Sequence, residues 1–221
     1  MPKKSPKNID RVLEEIRMEI PLDDISVNLI SQFIDILRKW NRVHRLVGND
    51  DVETLYDKQI FDIVPLSSIV TTDATIVDLG AGAGLPTIPL QIARHDIRTI
   101  LIESRLKKVN FCQQACRSLG IERVLVLQGD AGSREVCQRC GPVDLAFSRA
   151  TWDLAAFLAI ARPYVTRGGL VVAMKGADCA VEISQAATVA KEIGLYGPEV
   201  KRYQLPISRK ERTVLKYWME Y

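Results

Sequence analysis

The sequence predicts an α/β fold with a Rossmann-like, mostly parallel sheet of seven strands, an antiparallel C-terminal hairpin and a helical N-terminal extension. In the middle of the chain, five short runs rich in β-branched residues are nearly continuous in apolar character, as strands buried on both faces are. Each run is separated from the next by a segment long enough for a helix, which is the pattern of a parallel sheet covered by helices. A glycine-rich loop follows the first run, where such folds bind ligands.

The pattern of apolar residues in the first part of the chain predicts a helical cap. Apolar residues recur every three or four positions in two stretches, one before and one after Asp23, which indicates two helices. Asp23 or Asp24 is placed to cap the second of them. A third helix is expected from about Val52 to Leu66. The periodicity changes near residues 70–73, which divides the chain into a helical cap, 1–72, and a Rossmann-like domain, 73–221.

The strands of the predicted sheet follow in order. The five parallel strands are expected in ATIVDLG, RTILIE, RVLVLQ, VDLAFS and GLVVAMK. After the second strand, SRLKKVNFCQQACRSLG has the character of a helix that ends at Gly120. Beyond Gly194, PEVKRYQLPI and RTVLKYWMEY are strand-like and leave no room for a crossover helix between them. They therefore predict an antiparallel hairpin at the edge of the sheet.

Composition narrows the class of protein. The 221 residues are 47% hydrophobic and 26% charged, as in soluble globular chains. No apolar run approaches the roughly 20 residues that span a bilayer, and no apolar stretch follows the N-terminal lysines, so we expect a cytoplasmic protein without a membrane span. The cysteine count is odd, at five, and predicts free thiols. Neither close pair resembles a zinc-ribbon turn, so we expect no metal site.

The sharpest motif is the loop DLGAGAGLPTIP, which starts at Asp78. Its spacing is G-x-G-x-G, whereas dinucleotide folds use G-x-G-x-x-G and would need glycine where Leu85 stands. An acid two residues before the first glycine favours S-adenosylmethionine, because a carboxylate attracts the methionine ammonium and repels a diphosphate. The cofactor contacts predicted from this loop are Asp78, Gly80, Ala81, Gly82, Gly84 and Leu85.

Two further acids support a cofactor site. Glu103 ends the second strand, where Rossmann-like proteins bind ribose hydroxyls, and Ser104 follows it. Asp130 and Ala131 follow the third strand, where they can meet the adenine ring. The carboxyl ends of successive parallel strands share one crevice, so these residues are expected to line one pocket. The alternative is a Rossmann-like fold whose pocket has decayed.

From Trp40 to the C-terminus the chain resembles the bacterial 16S ribosomal RNA guanine-N7 methyltransferases, the RsmG or GidB family. The motifs that carry the resemblance are DLGAGAGLPTIP, ESRLKKVNF, DLAFSRAT, GGLVVAMKG and RKERTVLKY. The proline that follows the third glycine is unusual among methyltransferases and typical of this family. The resemblance implies a class I S-adenosylmethionine-dependent methyltransferase fold and methylation of guanine N7 in the decoding-region loop of the small subunit.

The chain departs from the family pattern at several positions. Thr87 stands where the family usually has glycine, and Gln59 and Ile63 replace its usual histidine and serine, although Asp62 is kept. The stretch RVHRLVGND also differs. These changes leave the cofactor site intact and concern substrate contacts. The alternative function is therefore a cofactor-binding, RNA- or ribosome-associated protein whose methyltransferase activity has diverged or been lost.

Transfer of a methyl group to a ring nitrogen is an in-line displacement that requires alignment more than acid–base help. Arg149, just past the fourth strand, is expected to hold the base or a phosphate and to lie by the cofactor, with Ser148 orienting it. Lys175 ends the fifth strand and is expected at the substrate mouth; the plainer interpretation is a solvated charge. These three residues are the predicted catalytic set.

Charge distribution predicts the partner. The net charge is only +3, but residues 201–221 hold six basic residues against two acidic ones, and RKWNRVHR holds no acid. Such clusters suit phosphate backbones, although each is also compatible with a solvated face or a charged edge strand. We expect a monomer that binds 16S RNA or the small subunit; a small-molecule methyltransferase is disfavoured by the basic tail. The predicted RNA contacts are Arg42, Arg45, Lys107, Lys108, Lys175, Arg209 and Arg212.

Overall fold

The structure is a computed structural model that describes residues 7–149 and 151–220. In this part of the chain, seven strands form one sheet: β1 (Thr75–Leu79), β2 (Arg98–Glu103), β3 (Val124–Gln128), β4 (Val143–Arg149), β5 (Val165–Gly176), β6 (Leu195–Gln204) and β7 (Glu211–Met219). Their order is β3-β2-β1-β4-β5-β7-β6. The first five strands are parallel, and β7 runs antiparallel to both β5 and β6. The predicted sheet with its antiparallel edge hairpin is confirmed.

The central strands are buried on both faces, as their continuous apolar runs predict. In β1, four of five residues are buried. Successive side chains alternate between two cores: Ile76 belongs to the one beneath the N-terminal helices, and Val77 and Leu79 to the one on the other face. The edge strand β3 instead has exposed residues, since only Leu127 is buried.

Helices cover both faces of the sheet. They are α1 (Lys7–Glu19), α2 (Asp24–His44), α3 (Val52–Leu55), α4 (Ile63–Ser67), α5 (Thr87–Ala93), α6 (Leu106–Leu119), α7 (Arg134–Cys140), α8 (Leu154–Ala161) and α9 (Ala180–Glu192). The Asp23 carboxylate accepts a hydrogen bond from the Ser26 backbone N–H and caps α2, as predicted. The predicted stop of α6 is confirmed, because Gly120 has a φ of +66°. No described helix combines the length and apolar character needed to cross a membrane.

The single helix predicted from Val52 to Leu66 is wrong. The chain forms α3, a π-helical turn over Tyr56–Ile60, and then α4. Pro65 gives the physical reason: it has no backbone N–H, so an uninterrupted helix would lose a hydrogen bond there. Restarting the helix at Ile63 places this proline in the first turn, where no donor is required.

The N-terminal helix α2 packs on α5 and α6, which cover one face of the sheet. Phe33 and Leu37 of α2 share one hydrophobic core with Ile76 and Phe147 of the central strands. The Ser26 hydroxyl also donates to the Ile92 carbonyl in α5, at 3.3 Å. The division into a cap and a Rossmann-like domain at residue 72 stays a prediction, but the two parts have no separate cores on this face of the sheet.

Candidate cofactor site and substrate cavity

The glycine-rich loop lies between β1 and α5. Gly80, Gly82 and Gly84 have φ values of +73°, +59° and +69°, a region that favours glycine. The backbone N–H groups of Gly80 and Ala81 both donate to the carbonyl of Ile102, at 2.9 and 3.0 Å, and this holds the loop against β2. A Cβ atom on Gly80 would lie 2.8 Å from Thr151, so the loop is packed closely against the segment that follows β4.

The Glu103 carboxylate at the end of β2 is held by two backbone N–H groups. One of its oxygens accepts from the Gly82 backbone N–H at 2.9 Å, and the other accepts from the Arg105 backbone N–H at 2.8 Å. The residue is 7% exposed. The predicted ribose-binding acid is thus held rigidly at the end of β2.

A cavity of about 300 Å³ opens beside these groups, at the carboxyl edge of the sheet. Five predicted cofactor residues line it: Gly80, Glu103, Ser104, Asp130 and Ala131. Residues that sequence reasoning missed in the cofactor site are Ile102, Arg105, Lys108, Gly129, Thr151 and Trp152. Their common signal is their position, one to five residues from the ends of β2, β3 and β4. The cavity residues suit a nucleoside, because carboxylates at the ends of β2 and β3 can accept hydrogen bonds from ribose and adenine.

The structure does not bring Asp78 to this cavity. The carboxylate is buried beneath the loop and accepts a hydrogen bond from the Thr87 hydroxyl. The family that the chain resembles usually has glycine at this position, and glycine has no hydroxyl to make this bond. The carboxylate makes a bond within the fold, and contact between Asp78 and the methionine ammonium stays a prediction. The loop residues Ala81, Gly82, Gly84 and Leu85 likewise shape the loop and do not line the cavity.

Burial changes the protonation of Asp78. Loss of solvation raises the pKa of this carboxyl to about 7, although the Thr87 hydrogen bond and the positive charge of Arg149 act in the opposite direction. Near neutral pH the group is therefore divided between its neutral and charged forms. A neutral carboxyl costs less to bury than a carboxylate.

A second cavity, of about 220 Å³, lies at the ends of β4 and β5. Its floor is an ion pair: Arg149 Nη1 lies 3.0 Å from Asp62 Oδ2, and the same atom donates to the Lys58 carbonyl at 3.2 Å. The Tyr203 hydroxyl donates to the other oxygen of Asp62, at 2.7 Å. Residues from the N-terminal segment, the sheet and the C-terminal hairpin line this cavity: Gln59, Asp62, Arg149, Met174, Lys175, Gly176, Tyr203 and Arg212.

The predicted catalytic set is only partly brought together. Arg149 and Lys175 line the second cavity, and Arg149 does not line the first. Ser148 does not orient Arg149; it is buried and its hydroxyl donates to the Leu79 carbonyl at 2.8 Å, joining β4 to β1. Lys175 is not a free solvated charge, because its ammonium donates to the Trp152 carbonyl at 2.8 Å and to Glu182 at 2.7 Å.

The predicted RNA contacts lie in two regions. Lys107 at the start of α6 donates to the His44 carbonyl at 2.9 Å and so places the end of α2 next to it. This contact brings the exposed residues Arg42, Arg45 and Lys107 near the half-buried Lys108, which lines the first cavity. Arg209 is exposed in the β6–β7 loop, whereas Arg212 is half-buried in the second cavity and is not part of a solvent-facing track.

Comparison with known proteins decides the family. The GidB family model, described as rRNA small subunit methyltransferase G, matches residues 26–205. The chain belongs to the GidB family. Two curated relatives are named ribosomal RNA small subunit methyltransferase G. The one from Corynebacterium efficiens is 35% identical over 159 residues, 72% of this chain and 68% of the relative. The one from Geobacter sulfurreducens is 31% identical over 210 residues, 93% and 95% of the two chains.

Solved structures confirm the class I methyltransferase fold of this GidB chain. Precorrin-6y C5,15-methyltransferase from Geobacter metallireducens superposes with a TM-score of 0.57 at 12% identity, over 80% of this chain and 92% of that one. Fibrillarin from Aeropyrum pernix, solved with bound S-adenosyl-L-methionine, superposes with a TM-score of 0.53 at 16% identity, over 66% and 67%. The cofactor of the GidB chain is S-adenosylmethionine. The described residues hold no group of three or more His, Cys, Asp or Glu side chains placed to bind a metal ion.

Gly80→Ala tests the cofactor loop. An added Cβ would lie 2.8 Å from Thr151, and the φ of +73° adds backbone strain. We expect the affinity for S-adenosylmethionine to fall about tenfold or more, measured by calorimetry. Gly141→Ala is the matched control, because its φ is +74° with nothing within 4 Å of the new Cβ. Equal affinities in the two variants would show that the loop does not form the pocket.

Asp78→Asn tests the buried carboxyl. A folded pKa of about 7 lies above the unfolded value, so the stabilising contribution of the neutral form is fully present below about pH 4 and is lost as pH rises through about 7. The asparagine side chain at position 78 of the variant cannot ionise. Its free energy of unfolding should fall less than that of the wild type between about pH 4 and pH 8, by up to about 4 kcal/mol. Denaturant titrations across this range measure the difference, and superimposable pH profiles would refute the assignment.

Proposed function

We propose that this chain transfers the methyl group of S-adenosylmethionine to N7 of a guanine in the decoding-region loop of 16S ribosomal RNA. The observation that carries the proposal is the pair of cavities at the carboxyl edge of the sheet. The segment after β4 contributes to both: Arg149 lines one, and Thr151 and Trp152 line the other. Membership of the GidB family and the names of the curated relatives support ribosomal RNA of the small subunit as the substrate.

The first cavity is assigned to the cofactor. Glu103 is placed to accept hydrogen bonds from ribose hydroxyls, and Asp130 to accept one from the adenine amine. The closely packed loop at Gly80 leaves no room for a side chain and suits contact between ligand and backbone. The cofactor supplies a methyl group activated on a sulfonium. Trp152 adds an aromatic wall to the pocket.

The second cavity is assigned to the target base. Guanine N7 carries a lone pair and no proton, so the reaction needs no general base. The N7–carbon bond forms as the sulfur–carbon bond breaks, the electron pair of the broken bond stays on sulfur, and the positive charge passes to the base. The protein's part is alignment of the two groups. Arg149, Lys175 and Arg212 give this cavity the cations that suit guanine O6 and adjacent phosphates.

The RNA is expected to approach over two basic regions. One is formed by Arg42, Arg45 and Lys107 beside the cofactor cavity, and the other is the loop that carries Arg209. Such surfaces bind phosphates through charge, with an affinity that falls as salt rises. We propose that the chain acts as a cytoplasmic monomer on the small subunit or its RNA.

Methyl transfer from labelled S-adenosylmethionine tests the function. The substrate is the small ribosomal subunit from cells that lack the modification, and the labelled base is mapped by strand cleavage specific for N7-methylguanine. Label on one guanine of the decoding-region loop is the expected result. Bound cofactor with no label on any RNA would instead support the non-catalytic, RNA-associated alternative.

Arg149→Lys tests the substrate cavity. Lysine keeps a positive charge beside the buried Asp62 but removes the planar guanidinium and its paired donors. We expect the rate of methyl transfer to fall about 10- to 100-fold, with the affinity for S-adenosylmethionine unchanged. Arg139→Lys, on the exposed side of α7, is the control and should retain full activity. A parallel loss of cofactor affinity in Arg149→Lys would place this residue in the cofactor site.

A further inference from the structure

Two buried polar atoms of residues that line the second cavity have no hydrogen-bond partner within residues 7–149 and 151–220: Gln59 Oε1 and Arg212 Nε. One is an acceptor and the other is a donor. Leaving such atoms unpaired is costly, and most buried polar groups in folded proteins are paired. The other charged groups there do have partners, since Asp62 binds Arg149 and Tyr203. A ligand in this cavity that supplies one donor and one acceptor would pair both atoms.

We propose that Gln59 and Arg212 read the Watson–Crick edge of the target guanine. In this arrangement Gln59 Oε1 accepts a hydrogen bond from guanine N1–H, and Arg212 Nε donates one to O6. The inference rests on the proposed function and specifies how the same cavity selects its base. Enzymes that act on a base taken out of the stack commonly read it through this edge.

The pairing leaves the reacting atom free. A donor placed at N7 would occupy the lone pair that attacks the methyl carbon. Contacts at N1 and O6 leave the N7 lone pair unoccupied. Arg149 at the end of β4 lines this cavity, and Thr151 and Trp152, two and three residues later, line the cofactor cavity.

The same two atoms discriminate against adenine. Adenine has an amine where guanine has O6, and an unprotonated N1 where guanine has N1–H. Arg212 Nε would then face a donor, and Gln59 Oε1 would face an acceptor. A buried site that is built to hydrogen-bond one partner strongly rejects an analogue that leaves its polar groups unpaired.

Gln59 also acts during the reaction. Methylation places a positive charge on the guanine ring, which makes N1–H a stronger donor. The hydrogen bond to Gln59 Oε1 therefore strengthens between the ground state and the transition state, and only such interactions raise the rate of the chemical step. The Asp62 carboxylate helps here too, because it offsets the charge of Arg149 next to a base that is becoming cationic.

Two substitutions of Gln59 isolate the acceptor. Gln59→Leu keeps the approximate size of the side chain and removes the acceptor, whereas Gln59→Glu retains an acceptor oxygen. Gln185→Leu, an exposed glutamine on α9, is the matched control. Each protein is assayed for kcat/KM on unmodified small subunits, for its affinity for S-adenosylmethionine, and for its Tm. A second set of subunits carries adenine in place of the target guanine.

We expect Gln59→Leu to lower kcat/KM on the guanine substrate about tenfold and to narrow the preference for guanine over adenine. Gln59→Glu should stay within about threefold of the wild type, since a hydrogen bond to the retained oxygen is preserved. Cofactor affinity should be unchanged in all variants. Tm should not fall in Gln59→Leu, because this variant loses a buried acceptor that has no partner in the free protein, and Gln185→Leu should match the wild type throughout.

The possible failures are distinguishable. Wild-type activity in Gln59→Leu, with an unchanged base preference, would overturn the inference and leave the proposed function intact. An equal loss in the Leu and Glu variants would show that the acceptor is not what matters, which also overturns it. A wild-type protein that binds cofactor but labels no RNA would overturn the proposed function and the inference together.

Discussion

The Asp62 carboxylate joins three distant parts of the chain, and the substrate cavity depends on it. It is 1% exposed and accepts hydrogen bonds from Arg149 at the end of β4 and from Tyr203 in the C-terminal hairpin. A buried ion pair of this kind adds little net stability, but loss of one partner leaves an uncompensated charge. Burial and the nearby carboxylate raise the pKa of Tyr203 well above its usual range, so its hydroxyl stays protonated and continues to donate.

The irregular backbone between α3 and α4 makes these contacts possible. Asp57, in the π-helical turn, accepts from the backbone N–H groups of Ile207 and Ser208, and Asp62 reaches Tyr203 of the same hairpin. In a continuous α-helix, residues five apart point about 140° away from each other, so both could not face one neighbour. Single π-helical turns are frequent at functional sites, and here the turn also presents Gln59 to the cavity.

Local patterns predicted the sheet, part of the cofactor site, and Arg149 and Lys175 of the substrate cavity, but not the contacts of Asp62. β2 has the predicted bounds, and Glu103 and Asp130 line the predicted crevice because the ends of parallel strands meet there. The direction of a side chain was harder to predict. Asp78 lies beneath the loop, because its carboxylate accepts a hydrogen bond from Thr87, nine residues later. The partners of Asp62 lie 87 and 141 residues away in sequence, and no periodicity or spacing relates residues so far apart.

The segment Trp152–Leu154, which follows β4, is held by the ion pair of Lys175 and Glu182, of which only Lys175 was assigned a role from the sequence, in catalysis and RNA binding. Lys175 holds the Trp152 carbonyl, and Glu182, its ion-pair partner on α9, accepts from the Leu154 backbone N–H. Their two contacts fix the chain on both sides of Asp153. Because methyl transfer depends on alignment of two bound groups, the rigidity of this segment matters more than another charge at the cavity mouth. Movement of this segment would alter both cavities at once. Gln59, in contrast, lines only the substrate cavity. Base recognition and cofactor binding can therefore be separated at Gln59, but not at Lys175.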